Sequence, residues 1–206
     1  MSMHEAMWSN RYREAGDDYL FGVEPNKWLA RHADVLAAYR TVLSVADGEG
    51  RNSVWLAQQG LEVTASEISP VALEKAKKLA AGRGVSVDFQ RADLLTCDWP
   101  SETYDALVAI FIQFVGPKER EMVFAGMQRA VKPGGIVMLQ GYTPKQLEYK
   151  TGGPPNVENL YTEALLRAAF RDWEILRLEE YEDDIFEGPG HRGRSALIGL
   201  IAKKPA

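Results

Sequence analysis

With a single cysteine, Cys97, this 206-residue chain cannot close an internal disulfide. That excludes the disulfide-stapled secreted class and fits a reducing, cytoplasmic setting. Three histidines, His4, His32 and His191, lie far apart and show no zinc-ligand spacing, so no metal is expected. No apolar run is long enough to cross a bilayer, and Met1-Ser2-Met3-His4-Glu5 lacks the charged-then-apolar pattern of a signal peptide. A membrane partner is therefore not expected. Nor is there a basic excess: 24 Lys and Arg stand against 29 Asp and Glu, a formal charge of −5. Nucleic-acid binding needs a basic face, so that class of partner is disfavoured and a small-molecule ligand preferred. Repeats, low-complexity tracts and linkers are also missing. Residues 1–206 read as one domain, with 1–40 a helical cover and 41–206 an α/β core, and the oligomeric state is left open.

What is present is an alternation of strand and helix signals from residue 41 onward, the pattern of a mostly parallel sheet covered on both faces. Thr41 to Ala46 reads as the first strand, followed at once by Asp47-Gly48-Glu49-Gly50. A helix is expected to start at Asn52 as N-cap and to stop at Gly60. Leu61, Val63 and Ala65 alternate with polar residues as a half-buried strand does. Ser69-Pro70 is a helix start, and Gly82 is the expected stop. A third strand is expected over Val85, Val87 and Phe89, and Tyr104 to Phe111 is apolar enough for a central strand. The helix from Pro117 is expected to bury Met122, Val123, Met127, Ala130 and Val131. Pro133-Gly134-Gly135 should turn into a strand over 136–139. Gly152-Gly153-Pro154-Pro155 reads as a surface loop near the ligand edge, and Thr162 as the N-cap of a last helix ending near Phe170. Trp173 to Tyr181 and Ser195 to Ala202 close the chain as strands.

Ligands of open α/β sheets bind beyond the carboxyl ends of the strands, where the strand order reverses. Gly48 and Gly50 would let backbone approach a ligand closely there, and the following helix would aim free N–H groups at an anion. Glu67, just past the second strand, stands where an acidic group can hold the two hydroxyls of a nucleoside ribose. Asp93, past the third strand, could accept from an adenine amino group, with Leu94 and Ile68 against the ring. The competing reading of Asp93 is a loop residue capping its own backbone.

The runs Val42 to Leu56, Glu67-Ile68-Ser69-Pro70, Ala92-Asp93-Leu94 and Val131-Lys132-Pro133-Gly134-Gly135 together resemble the class I S-adenosylmethionine (SAM)-dependent methyltransferases. Trp8-x-x-Arg11-Tyr12 with Tyr19-x-Phe21-Gly22-x-x-Pro25-Asn26 resembles the branch that holds tellurite-resistance and thiopurine methyltransferases. The resemblance implies a doubly wound, Rossmann-like sheet of seven strands in the order 3-2-1-4-5-7-6, with the last strand antiparallel. It implies SAM as cofactor and S-adenosylhomocysteine as product. On its terms Ala46, Gly48 and Gly50 lie against the methionine part, Glu67 holds the ribose, Ile68, Asp93 and Leu94 contact adenine, and Ile110 and Phe111 approach the amino group. The chain departs from the pattern where Ser44 replaces the strand-end acid and Ala46 the first glycine. Asp47 is displaced along the turn and is expected to point elsewhere, and Ala46 is a mild change only if its φ is negative.

Methyl transfer from a sulfonium is an in-line displacement that depends on alignment more than on an acid or base, so no obligatory triad is expected. Trp8, Tyr12, Tyr19 and Phe21 could cover the cofactor, and aromatic faces suit a sulfonium. The His191-Arg192 pair, with Arg194 near it, is the acceptor-facing candidate, because relatives of the tellurite type associate a His-Arg pair in this loop with the active site. Tyr142, Gln113 and Phe114 are expected to line the same pocket. Cys97 reads as a small packing residue. Two alternatives share these residues: a non-catalytic SAM-binding regulator, suggested by Ser44 and Ala46, and an NAD(P)-dependent oxidoreductase, suggested by Gly48-x-Gly50-x-x-Ser53 followed by Glu67.

Overall fold

A computed structural model describes residues 2–206. Seven strands form one sheet: β1 (Thr41–Val45), β2 (Glu62–Glu67), β3 (Asp88–Arg91), β4 (Tyr104–Ile110), β5 (Val131–Tyr142), β6 (Glu174–Phe186) and β7 (Arg192–Lys203). Their order is β3-β2-β1-β4-β5-β7-β6. β1 pairs in parallel with β2 and β4, β2 with β3 and β4 with β5, while β7 runs antiparallel to both β5 and β6. The Rossmann-like order and the antiparallel last strand agree with the resemblance. The order reverses between β1 and β4, so the loops leaving these two strands face each other across the ligand edge.

Helices pack on both faces: α1 (Met3–Glu14), α2 (Lys27–Arg31), α3 (Arg51–Gln58), α4 (Pro70–Arg83), α5 (Pro117–Ala130), α6 (Gln146–Tyr149) and α7 (Glu163–Ala169). One buried cluster, around Leu43, Leu107, Met127 and Leu139, lies under α5 and α7; another, around Val42, Val108, Met138 and Leu56, lies under α2 and α3. The central strands carry apolar residues toward both clusters, which is why they read as unbroken apolar runs.

Several local expectations shift. Gly84, not Gly82, stops α4: it takes φ +68, and the N–H groups of Gly84 and Val85 donate to Ala81 and Ala80 as a helix-closing pair. Val85 is used in that closure, and β3 begins only at Asp88. Gly50 caps α3 with φ +90, while the Asn52 side chain accepts from the Asn26 N–H instead. On α5, Phe124 and Gly126 are buried and Met122 is exposed, because Trp99 lies against Gly126 and rotates the apolar face. Lys132-Pro133-Gly134-Gly135 is carried within β5 rather than ending before it.

The last two strands are longer than their apolar segments. β6 is an edge strand whose residues after Tyr181 are Glu182, Asp183 and Asp184, turned largely to water, so hydrophobic pattern alone cannot follow it. Pairing with β7 continues to Phe186 opposite Arg192. The hairpin therefore rises above the ligand edge, where the Gly190 N–H donates to Leu20 O at 2.8 Å.

Candidate active site

β1 ends at Val45 and the chain turns through Ala46-Asp47-Gly48-Glu49-Gly50. Ala46 has φ +47 and Phe111, leaving β4, has φ +57, so a non-glycine residue is strained at each end of the switch point. The condition for Ala46 to be a mild replacement is not met. Asp47 also departs from expectation. Its carboxylate folds back on Ser44, accepting from Ser44 Oγ at 2.7 Å and from the Ser53 N–H at 3.2 Å, with Ser53 Oγ donating to the second oxygen. A carboxylate thus returns to the end of β1 by another route, because the hydroxyls of Ser44 and Ser53 anchor it there.

Glu67 is 4% exposed and accepts from the Gly48 N–H at 3.0 Å and the Ser69 N–H at 2.8 Å. Burial pushes its carboxyl up to about 7, against the opposing effect of these N–H groups. Each oxygen keeps lone-pair capacity toward the cavity. Asp93 spends one oxygen on the Leu95 N–H, the self-capping role, and still lines the cavity with Leu94 and Ile68.

These residues enclose a first cavity of about 100 Å³. Ala46, Gly48, Glu67, Ile68, Asp93, Leu94, Ile110 and Phe111 all line it; Gly50 does not. A Cβ on Gly50 would lie 2.8 Å from Ala76 Cβ, so that glycine serves the packing of α3 on α4. A second cavity of about 400 Å³ adjoins the first and is bounded by Tyr142, Gln113 and the 152–155 loop. Trp8, Phe21, Phe111, Phe114 and His191 line both, forming an aromatic collar at the junction. The His191 ring lies 4.5 Å from those of Phe21 and Phe111, and Tyr142 stacks on Phe111 at 4.7 Å. Burial, reinforced by the charges of Arg51 and Arg11, lowers the His191 imidazole to about 3 and keeps it neutral at physiological pH.

Arg192, paired with His191 in the sequence reading, falls outside both cavities. It is exposed and its guanidinium lies 6.0 Å from the Phe186 ring, because Arg192 opens β7 opposite Phe186 while His191 still belongs to the turn before the strand. Arg194 is likewise at the surface, bonded to Glu182 at 3.0 Å. Trp8, Tyr12 and Phe21 line the first cavity as expected of a cover, whereas the Tyr19 hydroxyl donates to Lys75 O.

Arg51 is the residue that sequence reading missed. It is buried, pairs with Glu187 at 2.7 Å and keeps Nη1 without a partner at the wall of the first cavity. A signal was available: a cation at the first position of a helix opposes the helix dipole and requires a compensating partner. Glu187 also accepts from Asn26 Nδ2 and the Lys27 N–H, and Glu49 pairs with Lys75 while accepting from the Leu20 N–H. Two buried carboxylates thereby fasten the N-terminal cover over the site. Among the described residues no cluster of His, Cys, Asp or Glu could hold a metal ion, and no helix is long and apolar enough to cross a membrane.

Residues 42–135 match a family model described as a methyltransferase domain. The demethylmenaquinone methyltransferase of Thermus thermophilus is 29% identical over 122 residues, 57% of this chain and 55% of the relative. The chain thus spans about half the length of the curated relatives it matches. Among solved structures, a protein studied for conversion of a disulfide bond into a thioacetal group during echinomycin biosynthesis superposes with a TM-score of 0.80 at 17% identity, covering 98% of this chain and 91% of that one. TehB from Haemophilus influenzae superposes with a TM-score of 0.70 at 16% identity, covering 96% and 67%. The structural likenesses show the fold, and the sequence match adds that residues 42–135, a little under half of the chain, are similar to a methyltransferase domain.

Proposed function

We propose that the chain, acting as one unit in the cytoplasm, transfers the methyl group of SAM to a small-molecule acceptor held in the second cavity. The observation that carries this reading is the aromatic collar joining a cavity that contains Glu67, Asp93 and the glycine turn to a second, otherwise separate cavity. A sulfonium at the collar would face aromatic rings, which attract it, and the acceptor would meet its methyl from the other side. The acceptor's nucleophile bonds to the methyl carbon as the C–S bond breaks, and sulfur keeps the electron pair as the neutral thioether of S-adenosylhomocysteine. The protein's part is alignment and exclusion of water. His191 and Tyr142 line the acceptor side and hold the nucleophile in place; with its imidazole near 3, His191 is too weak a base to take a proton from a neutral hydroxyl. Curated relatives named for methylating demethylmenaquinone support an organic small molecule as acceptor.

Calorimetric titration with SAM, S-adenosylhomocysteine and NADH tests the cofactor, and transfer of a labelled methyl group to low-molecular-mass acceptors tests the reaction. Binding of both adenosyl ligands with labelled product is expected. Tight NADH binding without response to SAM would establish the oxidoreductase instead, and SAM binding with no labelled product would point to the regulator.

A further inference from the structure

On the reading that the second cavity is the acceptor pocket, we propose that it takes a flat aromatic acceptor whose hydroxyl oxygen is bound as an anion between Tyr142 Oη and His191 Nδ1.

Both atoms are buried with no hydrogen-bond partner. Tyr142 is 2% exposed, and leaving such a hydroxyl unpaired is costly unless a ligand completes it. Each is held rigidly. The Tyr142 backbone is gripped at N and O by the Gln113 amide, and its ring stacks on Phe111. His191 is wedged between Phe21 and Phe111, with its ring centroid 6.0 Å from that of Tyr142 in an edge arrangement. Both residues line the second cavity, and these two unpartnered atoms are the groups a ligand oxygen seated there would satisfy.

The remaining walls decide the rest. Trp8, Phe114 and Pro154 supply apolar, largely planar surface. No Asp or Glu is among the lining residues, so an ammonium would enter without a counter-charge. Of the charged groups acting on the two atoms, the two cations that act on His191 favour an anion, while Glu187, the larger influence on Tyr142, opposes it. Arg11 lines the cavity with its guanidinium 4.8 Å from the Trp8 ring, and Arg51 stands behind His191, while the nearby Glu187 is already paired with Arg51. His191 is neutral, so it can present an N–H, and Tyr142, raised above its ordinary range by burial, keeps its O–H. Two neutral donors stabilise an oxyanion more than a diffuse thiolate, because sulfur is the weaker acceptor. The acceptor's proton passes to solvent on binding. The oxygen lone pair then forms the O–CH₃ bond, the C–S bond breaks, and sulfonium and phenolate become two neutral products.

The test uses the full chain saturated with S-adenosylhomocysteine and three probes of one shape: 4-nitrophenol, 4-nitroaniline and 4-nitrothiophenol. Absorbance reports whether the bound phenol is ionised. Bound 4-nitrophenol is expected to ionise at least one pH unit below its value in water and to bind at least tenfold tighter than 4-nitroaniline. Tyr142→Phe, which keeps the stacked ring, should weaken the phenol about tenfold and leave the aniline unchanged. Equal binding of phenol and aniline, a bound phenol that stays protonated, or a thiol bound more tightly in ionised form would overturn the assignment. If S-adenosylhomocysteine binds and no probe does, the inference fails while the cofactor reading stands. If S-adenosylhomocysteine itself does not bind, the methyltransferase reading fails.

Discussion

If Glu67 holds the ribose as proposed, cofactor binding is coupled to a measurable proton. Its carboxyl sits at about 7 because burial disfavours the charge more than the N–H groups of Gly48 and Ser69 support it. Ribose hydroxyls donate to the ionised form, so the ligand should bind the carboxylate and expel the proton. The clean probe is 5′-methylthioadenosine, which carries the ribose and adenine without the titrating amino-acid end. Below pH 7 each unit lowers the competent fraction tenfold, about 1.4 kcal/mol. Between pH 8 and pH 5.5 the dissociation constant should rise about 30-fold, roughly 2 kcal/mol. Calorimetry at pH 6 in buffers of different ionisation enthalpy should show release of nearly one proton per ligand, and Glu67→Gln should flatten the profile. An affinity that stays constant across this range, or an unchanged slope in Glu67→Gln, would refute the ribose role. Stability follows the same proton. The unfolded carboxyl releases it near 4.5 and the native one only near 7, so the protein loses stability as pH rises through that window, by about 3 kcal/mol. Glu67→Gln should recover up to that amount at pH 8 in urea denaturation.

Other expectations concern the turn and its neighbours. Ala46→Gly should raise stability by up to about 1 kcal/mol in urea denaturation, since the left-handed backbone costs alanine about 1–2 kcal/mol and glycine's unfolded entropy returns part of it. Gly50→Ala should destabilise by roughly 2–4 kcal/mol, because φ +90 is strained and the new Cβ would press on Ala76; a melting temperature equal to wild type would contradict this. Arg51→Gln should weaken SAM about 10- to 100-fold and leave 5′-methylthioadenosine unaffected, if the unpartnered Nη1 meets the cofactor carboxylate. Equal losses for both ligands would assign Arg51 to the fold alone.

The sequence by itself determined the alternation of strands and helices and most of the residues of the first cavity, while the strand order followed from the resemblance to class I methyltransferases. Those features depend on local signals: apolar runs for buried strands, Ser69-Pro70 for a helix start, and acidic residues at the end of β2 (Glu67) and just past β3 (Asp93). Glu67 and Asp93 were legible because parallel strands deliver their carboxyl ends to one edge, whatever packs around them. The tertiary structure decided what sequence spacing does not encode. Asp47 turned back to Ser44 only because Ser53 came round on α3 to hold it. Arg192 was separated from His191 because β7, which pairs further than its apolar residues show, begins at Arg192 and leaves His191 in the turn. Gly50 answered to Ala76 on α4, a contact between residues far apart in the chain. The collar likewise gathers Trp8, Phe111 and His191 from three distant segments, so the junction of the two cavities exists only in the folded chain.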